Sequence, residues 1–272
     1  MLTSALRTTL RAIFTLGLIV TTSPAQTPSP CGVMAQGIMW YRFGGVIPAT
    51  NTPFSATIQT THEEKFVDGN VIHGQIVTHA YRDSAGRVRS ETSGLCNFDP
   101  DGQLRPTFTI SVDDPATRTS MSWQVNDTSE KVARVYHEPD PKTAAATAMP
   151  LTEQQRQRIA QLQEHSRKYT RNEKLGSKMI GGMMTDGSRQ ITTIPAGEQG
   201  NDRPIETTDE YWTTRDSTMM MLHIVDDPRA GHTVTEVTEL IRGEPDPSLF
   251  APPPGYKLVE QVRTTKPIAP AQ

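Results

Sequence analysis

The chain has 272 residues, 27 basic and 30 acidic side chains and a formal charge of −3 at neutral pH. So mild an acidic balance gives no electrostatic footprint for nucleic acid or for an anionic membrane surface. Two cysteines are too few for a disulfide-built scaffold, and no stretch beyond the N-terminus is long and apolar enough for a bilayer span.

In chain order, residues 1–25 read as an export signal. Arg7 and Arg11 form a positive start, residues 12–20 form a short apolar run, and Ser23-Pro24-Ala25 is a small-residue exit before Gln26. The apolar run is much shorter than the roughly 20 residues of a membrane helix. Cleavage removes two basic and no acidic side chains, which leaves a charge of −5. The expected mature protein is periplasmic or secreted, without stable membrane insertion.

Residues 26–53 form a Pro/Gly-rich leader with at most one strand, at 38–43. Cys31 lies in this leader and Cys96 far beyond it. An oxidising compartment makes a Cys31–Cys96 disulfide the natural expectation, with two inert thiols as the alternative. Pro28-Ser29-Pro30 is a poor context for lipid attachment at Cys31, and the absence of Cys-x-x-Cys argues against redox catalysis.

From Phe54 onward, β-type runs alternate with turn signals. These are Asp68-Gly69-Asn70, Asp83-Ser84-Ala85-Gly86, Asp99-Pro100-Asp101-Gly102, Asp186-Gly187 and Asp226-Asp227-Pro228-Arg229-Ala230-Gly231. Phe108, Ile110 and Val112 alternate with Thr107, Thr109 and Ser111. Met121, Trp123 and Val125 alternate with Ser120, Ser122 and Gln124. Met219, Met221, His223 and Val225 oppose Met220, Leu222 and Ile224 on a strand apolar on both faces, hence central. Tyr211 and Trp212 point to opposite sides of another strand, and Met179, Met183 and Met184 are read onto a single one. The short connections imply antiparallel pairing.

The pattern breaks at residues 138–169, a Pro/Ala/Thr linker followed by a helix over 151–169. Thr152 and Gln155 make a capping-box pair at its start. Its apolar stripe is thin (Ile159, Leu162, Tyr169), so it reads as a solvated helix laid on the sheet. The expected organisation is one antiparallel β domain over 54–262 with this insertion, followed by a disordered Pro/Thr/Ala-rich tail at 263–272.

No residue asks for catalysis. The seven histidines do not cluster, so no metal site is expected. Asp113-Asp114 and Asp226-Asp227 each precede a proline and read as turn chemistry, and there is no Gly-x-Ser-x-Gly elbow or phosphate loop. No cofactor is expected. The methionines read first as packing, next as lining of an apolar pocket, and third as Cu(I) ligands. Met219-Met220-Met221 must split between two faces of a strand, which sets copper last.

Several stretches together carry a resemblance: Phe54-Ser55-Ala56, Asp68-Gly69-Asn70, Tyr81-Arg82-Asp83-Ser84-Ala85-Gly86-Arg87-Val88-Arg89-Ser90-Glu91, Glu173-Lys174-Leu175-Gly176 with Ile180-Gly181-Gly182, Glu210-Tyr211-Trp212, Asp227-Pro228-Arg229, and Glu244-Pro245-Asp246-Pro247-Ser248-Leu249-Phe250 running to Gly255-Tyr256. This order resembles a group of uncharacterised secreted bacterial proteins of the kind common in soil acidobacteria, over residues 54–256. Its layout is similar to the LolA/LolB/RseB superfamily of periplasmic lipoprotein carriers and envelope sensors. That similarity implies a strongly curved antiparallel sheet, an incomplete barrel, with helices plugging an apolar hollow that receives acyl chains.

The residues point to the same mainly β (α+β) class. A many-stranded sheet with one thin helix must curl to cover its apolar face. Candidate lining residues are Phe108, Ile110, Met121, Trp123, Met179, Met219 and Met221. Arg82, Arg87 and Arg89 are candidates for holding a head group, and the partner class is a lipid or an acylated protein. The leading expectation is an extracytoplasmic, non-enzymatic binding protein. A structural or signalling interaction domain with a solid core is the alternative, and a hydrolase is third.

Overall fold

The computed structural model describes residues 49–99, 101–125, 131–139, 150–216 and 219–262. The expected export signal, the strand at 38–43, Cys31, most of the linker and the tail lie outside the described residues. The Cys31–Cys96 bridge therefore stays a proposal.

Twelve strands form one sheet. They are β1 (Phe54–Lys65), β2 (Val71–Arg82), β3 (Val88–Phe98), β4 (Leu104–Asp114), β5 (Thr119–Val125), β6 (Val132–His137), β7 (Thr170–Ile180), β8 (Met183–Ile194), β9 (Ile205–Thr214), β10 (Met220–Asp227), β11 (Gly231–Arg242) and β12 (Lys257–Val262). Their order is β12-β6-β5-β4-β3-β2-β1-β11-β10-β9-β8-β7. Two antiparallel meanders, β1–β6 and β7–β11, are thus joined where β1 pairs with β11. The sheet is open, with β12 and β7 as its outer strands.

The pairing is antiparallel throughout except for β12, which runs parallel to β6. This corrects the expectation of a wholly antiparallel sheet, and the preceding chain supplies the reason. After β11 the chain crosses β3–β5 through a 3₁₀ turn, Pro247–Phe250. It reaches the sheet edge at the start of β6, where Lys257 pairs with Val132. The crossing uses up the return path, so the last strand must run the same way as its neighbour.

The expected turns at Asp83–Gly86, Asp99–Gly102 and Asp227–Gly231 are present. Asp83 Oδ1 accepts from the Arg87 N–H, Asp99 Oδ1 from Gln103, and Asp227 Oδ1 from Arg229. Asp114 caps its own turn through the Ala116 N–H.

Asp186-Gly187 is different, because both residues lie inside β8. The turn sits at Gly181-Gly182, both at positive φ, so Met179 lies one residue before the end of β7 while Met183 and Met184 open β8. Gly187 answers to packing: a Cβ there would stand 2.6 Å from the Trp212 ring.

The helix α1 (Glu153–Tyr169) keeps the expected Thr152/Gln155 capping box but buries none of its residues. It does not plug the sheet.

Two apolar cores lie on opposite faces. Phe54, Ala56, Ile58, Ala80, Val88, Met219, Met221 and Val237 form the first. Ile110, Val112, Trp123, Ala133 and Phe250 form the second, with Tyr81, Met121, Leu249 and Tyr256 against it. Ala80 and Tyr81 are consecutive on β2 and join different cores, as side-chain alternation requires.

The second core is covered by the crossing segment, where Tyr256 Oη donates to the Gln124 carbonyl at 2.7 Å. The first is covered by curling of the sheet itself. Ile180 and Met183, at the β7–β8 turn, pack against this core. At about 4.8 Å per strand a flat sheet would hold β8 roughly 19 Å from β1, so this contact requires strong coiling.

Candidate functional site

The curl leaves a cavity of about 290 Å³ where β1 begins and β11 ends. Its apolar wall comes from Pro53, Phe54, Met183, Met219 and Leu240. Phe54 is opposite Arg242 on one side and Arg82 on the other. The β9–β10 turn delivers Met219, held by its N–H to Thr214 Oγ1 at 3.1 Å and by its carbonyl, which accepts from the Thr214 N–H at 2.9 Å. Thr214 Oγ1 donates in turn to Asp216 at 2.6 Å.

Two arginines set the electrostatics. Arg82 is 2 % exposed; its Nε donates to the Thr52 carbonyl at 2.9 Å and its guanidinium lies 4.7 Å over the Phe54 ring. Burial pulls Arg82 below the ordinary arginine range, and the Asp216 carboxylate opposes that pull. Arg242 stands exposed at the mouth, where its Nη2 touches the Met183 sulfur. Among the described residues no carboxylate pairs with it.

The seven lining candidates do not share one hollow. Ile110, Met121 and Trp123 meet in the second core; Phe108, half-buried, lies opposite Val125 on the same face. Met219 and Met221 belong to the first core, on the other face, and only Met219 reaches the cavity. Met179 is 57 % exposed.

The three arginines separate likewise, and Arg82 alone lines the cavity. Arg87 binds Asp83 at 2.6 Å and covers the Phe250 ring. Arg89, 7 % exposed, donates to the Leu249 carbonyl and to Glu91 and lies 5.5 Å from the Trp123 ring centroid.

Phe54, Leu240 and Arg242 were not marked as lining residues by their sequence context, and Met183 was noted only among the methionines. Arg242 is brought to Phe54 only by the β1–β11 pairing, which no local pattern announces.

Elsewhere, His223 is fully buried, 3.2 Å from Asp209 and stacked on Tyr211. His62 is buried with Nδ1 2.9 Å from Thr233 Oγ1. Among the described residues no three His, Cys, Asp or Glu side chains converge to hold a metal ion, and no helix is long and apolar enough to cross a membrane.

No established family model and no curated protein matches this sequence. Solved structures show partial likeness. PNGF-II is 11 % identical with a TM-score of 0.37, over 78 % of this chain and 32 % of that one. MucB in complex with MucA(peri) is 12 % identical with a TM-score of 0.37, over 76 % and 56 %. LprF from Mycobacterium bovis is 11 % identical with a TM-score of 0.30, over 78 % and 90 %. The chain thus spans about a third of PNGF-II and little more than half of MucB.

Proposed function

We propose that this is an exported, non-enzymatic binding protein that holds an apolar ligand, or the apolar group of an acylated partner, in the corner cavity. What supports the reading is the character of that cavity: five apolar side chains (Pro53, Phe54, Met183, Met219 and Leu240) line it, two guanidinium groups and the Asp216 carboxylate flank it, and it opens to solvent. Its 290 Å³ lies at the lower bound of small-molecule sites, about 300 Å³. The methionine thioethers give it adaptable walls.

Native mass spectrometry of protein released gently from the periplasm tests this reading, with a fluorescent fatty acid as reporter. A retained apolar adduct, or reporter binding lost on filling the cavity with Leu240→Trp, is the expected result. A clean apo mass with no reporter binding contradicts it.

One observation favours a second reading, an interaction domain filled by its own side chains. The Trp123 core is closed by Phe250, Leu249 and Tyr256 from the same chain, so that half of the sheet uses its apolar face for itself.

A further inference from the structure

The cavity reading sets a size and a charge for the ligand. At roughly 30 Å³ per water-sized heavy atom, the enclosed 290 Å³ takes about ten atoms, and anything longer extends through the open mouth. That is one short aliphatic chain. A long acyl chain held whole does not fit, and a set of two or three chains fits still less.

The mouth supplies the charge preference. Arg82 is already committed to Thr52 and the Phe54 ring. Asp216, the acidic lining group, keeps its charge while accepting from Thr214, and that charge acts on Arg82. Arg242 is the cation left at the rim: it is exposed, no carboxylate among the described residues pairs with it, and it lines the same space as Met219 and Leu240. A guanidinium beside an apolar slot is a two-part complement, a fork for an anionic head group above walls for its tail. Arg242 lies opposite Phe54 in the β1–β11 register, two residues from Leu240 on the same strand, which puts the cation beside the apolar wall.

We infer that the ligand is a single-chain carboxylate of about eight to ten carbons, its head group on Arg242 and its tail between Met183, Met219 and Leu240. This inference rests on the cavity reading above and adds to it a head-group charge and a chain-length limit.

Isothermal titration of the full chain with octanoate, octanol and palmitate at neutral pH tests it. Octanoate binds about fivefold tighter than octanol, the size of one partly exposed ion pair, and high salt removes the difference. Arg242→Gln abolishes the preference and Arg242→Lys keeps most of it, with the urea midpoints unchanged. Palmitate binds no tighter than octanoate. Equal binding of octanoate and octanol overturns the head-group assignment while leaving the cavity in use. A large advantage for palmitate overturns the length limit. Absence of binding by all three, together with a clean native mass, removes the cavity reading itself.

Discussion

Val88 and Arg89, consecutive on β3, serve two different cores. Val88 belongs to the cluster of Phe54 and Met221, while the Arg89 guanidinium lies against Trp123 on the other face. One layer of backbone therefore separates two independently covered interiors. Ile58→Val and Ile110→Val, one in each core, should each lower stability by about 0.5–1.5 kcal/mol. Their sum should match the double variant within about 0.5 kcal/mol in urea unfolding, because the sites share no partners. Strong non-additivity would mean that the two interiors are one.

The close approach at Gly187 makes a sharper case. A Cβ at this position would meet the flat Trp212 ring at 2.6 Å, and Lys178 covers the same ring at 3.7 Å. Gly187→Ala should destabilise by about 1–3 kcal/mol through overpacking. It should also shift Trp212 fluorescence, whereas Ser188→Ala, exposed one residue on, changes neither. An unchanged urea midpoint for Gly187→Ala would place the tryptophan elsewhere.

Much of this architecture was legible. The alternation of Phe108, Ile110 and Val112 against Thr107, Thr109 and Ser111 gave a strand, and Thr152 with Gln155 gave the helix start. Aspartate-led turns marked several hairpins. What stayed hidden depends on distance in sequence or on which face ends up covered. Alternation separates Met219 from Met220 but does not say that Met219 and Trp123 lie on opposite sides of the sheet. Asp186-Gly187 has turn composition, yet its glycine answers to Trp212 twenty-five residues on. Pro247–Phe250 looks like a loop until Leu249 and Phe250 are seen to close a core.

His62 supplies a pH dependence. Its burial holds the imidazole below its ordinary value of 6.5; Glu64 opposes this and His232 adds to it. A histidine depressed in the folded state takes its proton first in the unfolded chain. Stability is therefore complete above about pH 6.5 and declines as pH falls below it. Urea midpoints compared at about pH 7.5 and about pH 5.5 should drop for the native sequence and drop less for His62→Gln. Equal slopes would show that other groups govern the acid limb.

The proposed Cys31–Cys96 bridge predicts a mass lighter by two thiol hydrogens before reduction than after. Reduction should lower stability by about 4 kcal/mol for a loop of this length. An identical mass in both states would establish two thiols.

Which methionines meet the ligand decides whether the cavity is the binding site. Labelled methionine methyl groups, observed by NMR during titration with octanoate, report this directly. Saturable shifts are expected at Met183 and Met219, with Met121 in the second core and the exposed Met179 unmoved. Shifts centred on Met121, or none at Met183 and Met219 while the ligand binds, would contradict this assignment.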